Sequence, residues 1–109
     1  MTEAEINLAI AKIEYPDESV SHLNDLDYCK YWSDIGPIIE RNEMRLDSLG
    51  NNQWEATLFE DDGTGYFDAK WYAHAETPMK AAALCYLKMK ESEAVLQELA
   101  DQGQELGLE

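Results

Sequence analysis

Two histidines, His22 and His74, and two cysteines, Cys29 and Cys85, are the side chains best suited to a soft metal ion, and their spacing speaks against one. Structural zinc sites take their ligands as close pairs, CxxC or HxxxH. Neither pattern occurs, so no metal and no cofactor is expected, and both thiols are read as reduced. The string Asp61-Asp62-Gly63-Thr64-Gly65 brings two carboxylates before a glycine, as a calcium loop would. It lacks the alternating acids and the closing Glu of that loop, and Asp-Gly is a common hairpin signal, so it is read as a β-turn.

Nucleophilic and acid–base chemistry find no stronger support. There is no GxSxG elbow and no glycine-rich phosphate cradle, and most carboxylates fall at solvated helix and loop positions rather than in two contrasting environments. The chain is therefore expected not to be an enzyme. Two aromatic groupings remain. Tyr66, Lys70, Tyr72 and His74 alternate onto one strand face, a stacking platform in a basic protein but in this acidic one a polar outer face or a self-association surface. Asp27-Tyr28-Cys29-Lys30-Tyr31-Trp32-Ser33-Asp34 mixes aromatic anchors with carboxylates, as protein interfaces do, with Trp32 read as closing the core beside Ile35. The candidate partner-binding residues are Asp25, Asp27, Tyr28, Tyr31, Asp34, Glu91 and Glu98.

The elements that must position these residues follow from periodicity. Thr2 and Glu5 have capping-box spacing ahead of Ile6, Ala9, Ile10 and Ile13, which recur on one helical face until Tyr15-Pro16-Asp17. Residues 18–31 are expected to be a long loop, with room for a turn of helix or a short strand around Val20 to Leu23. Ser33 or Asp34 caps a second helix with Pro37 in its first turn and Ile35, Ile38 and Ile39 as its buried stripe, running to about Asn42. Strands are expected over 44–49, 53–60 and 65–75. The second buries Trp54, Ala56 and Leu58, the third alternates Phe67, Ala69, Trp71, Ala73 and Ala75 inward, and Gly50-Asn51-Asn52 and 61–65 supply the turns of an antiparallel meander. Thr77-Pro78 opens a long helix whose apolar face is Met79, Ala82, Ala83, Tyr86, Leu87 and Met89 and which continues through Val95 and Leu99 before Gly103 and Gly107 loosen it. The expected fold is α+β: a single two-layer domain over 1–99, in the order helix-helix-strand-strand-strand-helix, its three-stranded antiparallel sheet covered by helices, with an acidic, frayed tail over 100–109.

Charge narrows the partners. The 109 residues carry 23 Asp and Glu against 8 Lys and Arg, a formal net charge of −15. The surplus lies in residues 1–34 and 91–109, whereas 61–90 balances. Such a field repels nucleic-acid phosphates and favours a basic protein surface. No apolar run approaches the ~20 residues of a membrane span, and the N-terminus lacks the pattern of an export signal. A cytoplasmic protein is expected.

Several strings go further. Residues 2–11 (TEAEINLAIA), 31–40 (YWSDIGPIIE), 54–56 (WEA) and 77–89 (TPMKAAALCYLKM) resemble the NinX-like small proteins of tailed phages, sometimes grouped with phage α-β-α sandwich proteins. The resemblance spans roughly residues 2–90, and its most specific part is the Pro-x-x-Ala-Ala helix preceded by a Trp-x-Ala strand. It implies a phage or prophage accessory protein in the host cytoplasm with no assigned biochemical role and no functional residues to carry over. Together with the charge, it suggests a non-enzymatic acidic protein that binds a host protein with a basic surface, without contacting nucleic acid or membrane. The alternatives are a nucleic-acid mimic that blocks a host DNA-binding defence enzyme, a small-molecule binder or enzyme with a pocket around Trp32, Trp54 and Trp71, and a homodimer formed through the Tyr66, Tyr72 and His74 face.

Overall fold

The structure is a computed structural model that describes residues 2–18, 25–61, 63 and 67–106. Three helices, α1 (Glu3–Glu14), α2 (Trp32–Arg41) and α3 (Pro78–Leu106), accompany three strands, β1 (Arg45–Gly50), β2 (Gln53–Asp61) and β3 (Phe67–Ala75), in the expected order of an α+β domain.

The starts of α1 and α3 follow from local chemistry. At α1 the capping box closes: the Thr2 hydroxyl accepts from the Glu5 backbone N–H at 3.2 Å, and the Glu5 carboxylate accepts from the Thr2 N–H at 3.0 Å. These bonds to Thr2 hold the Glu5 carboxyl below its usual pKa. At α3, Thr77 accepts from the Lys80 N–H at 3.2 Å and Pro78 occupies the first helical position, where its missing N–H costs nothing. The start of α2 departs from expectation. Neither Ser33 nor Asp34 is its cap; the helix begins at Trp32 behind Tyr31, which makes no side-chain capping bond. Asp34 is unavailable because its Oδ2 accepts from the backbone N–H of Asp27 at 2.9 Å. The earlier start moves Pro37 into the second turn, where it has no N–H to donate to the carbonyl of Ser33.

The end of α2 is a Schellman motif. Glu43 N–H donates to the Glu40 carbonyl at 3.2 Å and Met44 N–H to the Ile39 carbonyl at 3.0 Å, with Glu43 at φ 51° in the position usually held by glycine and Met44 buried.

The sheet is an antiparallel meander of order β1-β2-β3. Asn51 and Asn52, at φ 51° and 60°, give the β1–β2 hairpin the two left-handed residues a type I′ turn requires. Pairing sets the faces: Trp54, Ala56 and Leu58 stand opposite Ala75, Ala73 and Trp71 on the covered side, and Glu55 and Thr57 stand opposite His74 and Tyr72 on the other. The register shifts between Leu58 and Phe59, so Phe59 pairs with Ala69 and Lys70 is skipped. This bulge breaks the alternation expected along 67–75, and Ala69 is exposed rather than turned inward.

Of the helices, α3 lies directly on β2 and β3, and α1 and α2 pack against α3. Ala81, Ala82, Ala83, Cys85, Tyr86, Leu87 and Met89 are accordingly all buried. Successive residues on a helix point about 100° apart, so three consecutive buried alanines mean burial on more than one side. Cys85 shows one direction, its thiol 3.4 Å from the Trp71 carbonyl of the sheet, and Tyr86 the other, its hydroxyl on Glu14 of α1. The single-face reading of this helix therefore missed Ala81 and Cys85. The helix runs through Gly103 to Leu106. Among the described residues, no helix is long and apolar enough to cross a membrane.

Candidate functional site

The segment between α1 and α2 is held by one side chain. Asn7 accepts through Oδ1 from the backbone N–H groups of Tyr28 (2.9 Å) and Cys29 (3.3 Å), and donates through Nδ2 to Asp27 Oδ1 (3.1 Å). Asp27 Oδ1 also accepts from the Cys29 N–H at 3.2 Å, and Asp34 holds the Asp27 N–H. Five hydrogen bonds from side chains thus fix residues 27–29 against α1 and the first turn of α2, and Tyr28 and Cys29 are buried behind them.

Between this segment and the two helices lies a cleft of about 210 Å³, lined by Glu14, Tyr15, Leu26, Tyr28, Ser33, Asp34, Pro37, Ile38 and Arg41. Its one cation is already paired: Arg41 Nη2 sits 3.1 Å from both carboxylate oxygens of Glu14, whose Oε2 also accepts from the Tyr86 hydroxyl at 2.6 Å. The rest of the polar lining consists of oxygens. Asp34, Tyr15, Tyr28 and Ser33 border a space walled by Leu26, Pro37 and Ile38. Burial, with Tyr15, Glu14 and Asp34 nearby, pushes the Tyr28 phenol up to about 12, so it stays protonated. The thiols of Cys29 and Cys85 are each pushed up to about 11 by burial and are free cysteines.

The partner-binding residues expected from sequence separate into groups. Tyr28 and Asp34 meet at the cleft, and Asp27 lies behind it as a pin for the loop backbone. Tyr28, expected on a contact surface, is only 3% exposed, because Asn7 draws its backbone inward. Asp25 and Tyr31 are exposed, and Lys30 lies 6.0 Å over the Tyr31 ring. Glu91 lines a different groove, also about 210 Å³, with Ala73, His74, Leu84, Leu87 and Lys88 along β3 and α3. Glu98 lies on α3, and its side chain is outside the described residues.

Trp32 does not close the core beside Ile35. It is 50% exposed, because the early helix start carries it to the flank of the Ile35 and Ile38 stripe. Trp54 and Trp71 pack onto the core from the sheet, so neither of these two grooves is lined by tryptophan. On the uncovered sheet face, Tyr72 is exposed with its ring 6.1 Å from that of His74, and His74 contacts Glu55 at 2.6 Å. His22, Tyr66 and most of the turn at 61–65 lie outside the described residues. Among the described residues no group of three or more His, Cys, Asp or Glu is gathered as a metal ion would need. Sequence reasoning missed Glu14, Tyr15 and Arg41 as neighbours of the Tyr28 segment; the pairing of Arg41 with an acid 27 residues away carries no local signal.

The model of NinX from bacteriophage P22 matches residues 4–90, which include every residue lining the cleft. The chain belongs to the NinX family. It is thus a phage accessory protein. No curated protein and no solved structure matches it. The NinX match takes in α1, α2, the sheet and the first half of α3, and the base-free acidic stretch from Glu91 lies beyond it. The cleft therefore belongs to the family part of the chain, and the extra negative charge of the last helix does not.

Proposed function

We propose that this NinX-family chain is a non-enzymatic binding protein that acts in the host cytoplasm on a host protein presenting a basic surface. One observation supports the reading above the others: five of the eight positive side chains are ion-paired where they stand. Arg41 contacts Glu14, Arg45 Asp47, Lys70 Glu60, Lys80 Glu76, and Lys90 Glu93, at 2.7 to 3.3 Å. Lys88 is bonded to the Tyr72 carbonyl at 2.7 Å. The exposed remainder, in which Glu40, Glu43, Asp25, Asp68 and Glu91 outnumber Lys12 and Lys30, is predominantly negative. Such a field speeds and steers association with a cationic surface and loses strength as salt screens it.

The test is a titration of the labelled protein with a lysine- and arginine-rich peptide and, separately, with duplex DNA. Peptide binding at about 20 mM salt that weakens at least tenfold by 200 mM supports the reading. Saturable DNA binding, or no peptide binding at low salt, ends it.

A second reading, mimicry of a nucleic acid, is favoured by the helical backbone through Leu106, which carries Glu91, Glu93, Glu98, Asp101 and Glu105 with no base after Lys90. It requires the chain to displace DNA from a host DNA-binding enzyme. Absence of displacement at large excess removes it.

A further inference from the structure

The proposed basic partner leaves open how a particular cationic surface is selected, since a diffuse negative field attracts any. The cleft between α1, α2 and residues 25–31 supplies a shaped feature. From its lining we infer that it accepts one arginine side chain of the partner, an inference that rests on the acidic-surface reading and sharpens it.

The lining is complementary to a planar group that only donates hydrogen bonds. Asp34 uses one carboxylate oxygen on the Asp27 N–H and has the other free of any bond within the described residues. The Tyr28 and Tyr15 hydroxyls likewise have no partner among the described residues. Tyr28 lines the cleft, and the groups that act electrostatically on its hydroxyl are the cleft's own Tyr15, Glu14 and Asp34. Ser33, whose hydroxyl can also accept, is in the same lining.

Against these acceptors stand no uncommitted cations, because the resident Arg41 is held by Glu14 and touches the Tyr86 hydroxyl at 3.4 Å. With Glu14 and Arg41 cancelling, Asp34 leaves the lining at a net charge of about −1. Two tyrosines and the apolar edges of Leu26, Pro37 and Ile38 offer flat surface for the stem and the guanidinium face. Arginine suits this better than lysine: its fork spreads five donors over several acceptors and stacks on aromatic rings, whereas an ammonium is a compact, strongly hydrated point charge. Six of the nine lining residues fall within the first 34 residues, where the negative surplus is concentrated. The other groove, beside Glu91, is lined by Lys88 and His74 and offers no comparable set of acceptors.

The experiment is an amide NMR titration of the whole chain with three capped amino acids, Ac-Arg-NHMe, Ac-Lys-NHMe and Ac-Glu-NHMe. The arginine derivative is expected to shift the amides of Tyr15, Tyr28, Ser33, Asp34 and Arg41, with at least threefold higher affinity than the lysine derivative. Asp34→Asn, which keeps an acceptor for the Asp27 N–H but turns a donor toward the cleft, is expected to weaken it about tenfold, and Tyr28→Phe two- to threefold. Shifts spread evenly over the surface, equal affinity for lysine, or preference for the glutamate derivative, which would make Arg41 the reader of an anion, each overturns the inference. If Asp34→Asn fails to fold, Tyr28→Phe alone decides, and unchanged affinity there overturns it. An arginine-rich peptide that binds wild type and Asp34→Asn equally removes the cleft inference and leaves the acidic-surface reading standing. A peptide that binds neither removes that reading as well.

Discussion

The Tyr86 hydroxyl donates to Glu14 Oε2 at 2.6 Å across a sequence separation of 72 residues. The same carboxylate takes Arg41 of α2, so one acid on α1 joins all three helices. Glu14 is mostly shielded, with 18% of its side chain exposed, so the bond is not one that water replaces freely.

Removing that hydroxyl should therefore be felt. Tyr86→Phe keeps the buried ring and deletes the donor, at an expected cost of about 1.5–3 kcal/mol, the usual range for a hydrogen bond to a charged group. Urea denaturation of the two proteins measures it; a difference under about 0.5 kcal/mol would show that Glu14 is satisfied by Arg41 alone.

Stability should decline in alkali. The Tyr28 phenol rises from 10.0 to about 12 and the Cys29 and Cys85 thiols from 9.0 to about 11, each chiefly by burial, while Tyr86 is raised by burial and by Glu14. A folded pKa above the unfolded one means that the unfolded chain releases its proton first as pH rises. The contribution is complete below about pH 9 and is lost between there and about pH 12. Urea midpoints at pH 8 and pH 10.5 should differ, the higher pH giving the lower value; a flat profile would contradict the burial of these groups.

The two thiols should be inert in the native state. Both are free, buried and protonated well above neutrality, and the thiolate is the reactive form. Ellman's reagent at pH 8 should label neither within minutes, then both in denaturant. Rapid labelling of one thiol in native buffer would place it at the surface.

Glu43 is a site for stabilisation. It holds the left-handed position of the Schellman motif at φ 51°, where a side chain costs roughly 1 kcal/mol relative to glycine. Glu43→Gly is expected to raise stability by about 0.5–1 kcal/mol. A loss would mean that the carboxylate is needed where it stands.

Ala82 tests the layering. It is fully buried on a helix enclosed by the sheet on one side and by α1 and α2 on the other. Ala82→Leu should cost about 1–3 kcal/mol through overpacking. A neutral result in thermal melts would mean that the layers part easily.

Local rules account for much of what could be read in the sequence. Thr2 with Glu5 and Thr77 with Pro78 mark helix starts because capping depends on residues within one turn. Gly50-Asn51-Asn52 marks the hairpin because Asn tolerates positive φ. The start of α2 was misread at the point where a distant group intervened, since Asp34 is spent on Asp27 rather than on its own helix. The inward turn expected of Ala69 failed at a bulge that nothing in the alternation of residues 67–75 announces.

The amino-acid order alone determined the α+β succession of elements, the caps of α1 and α3, the Asn51-Asn52 hairpin and the surplus of negative charge, since these depend on neighbours along the chain and on composition. Tertiary structure decided that α3 is buried between the sheet and the other two helices, that Tyr28 turns inward while Trp32 stays exposed, and that Glu14, Asp34 and Arg41 border one cleft. Those outcomes depend on contacts such as Asn7 to residues 27–29 and Tyr86 to Glu14, made between residues 20 to 72 positions apart. Pairings at that range leave no periodicity in a sequence, because packing chooses them only once the helices and sheet have come together.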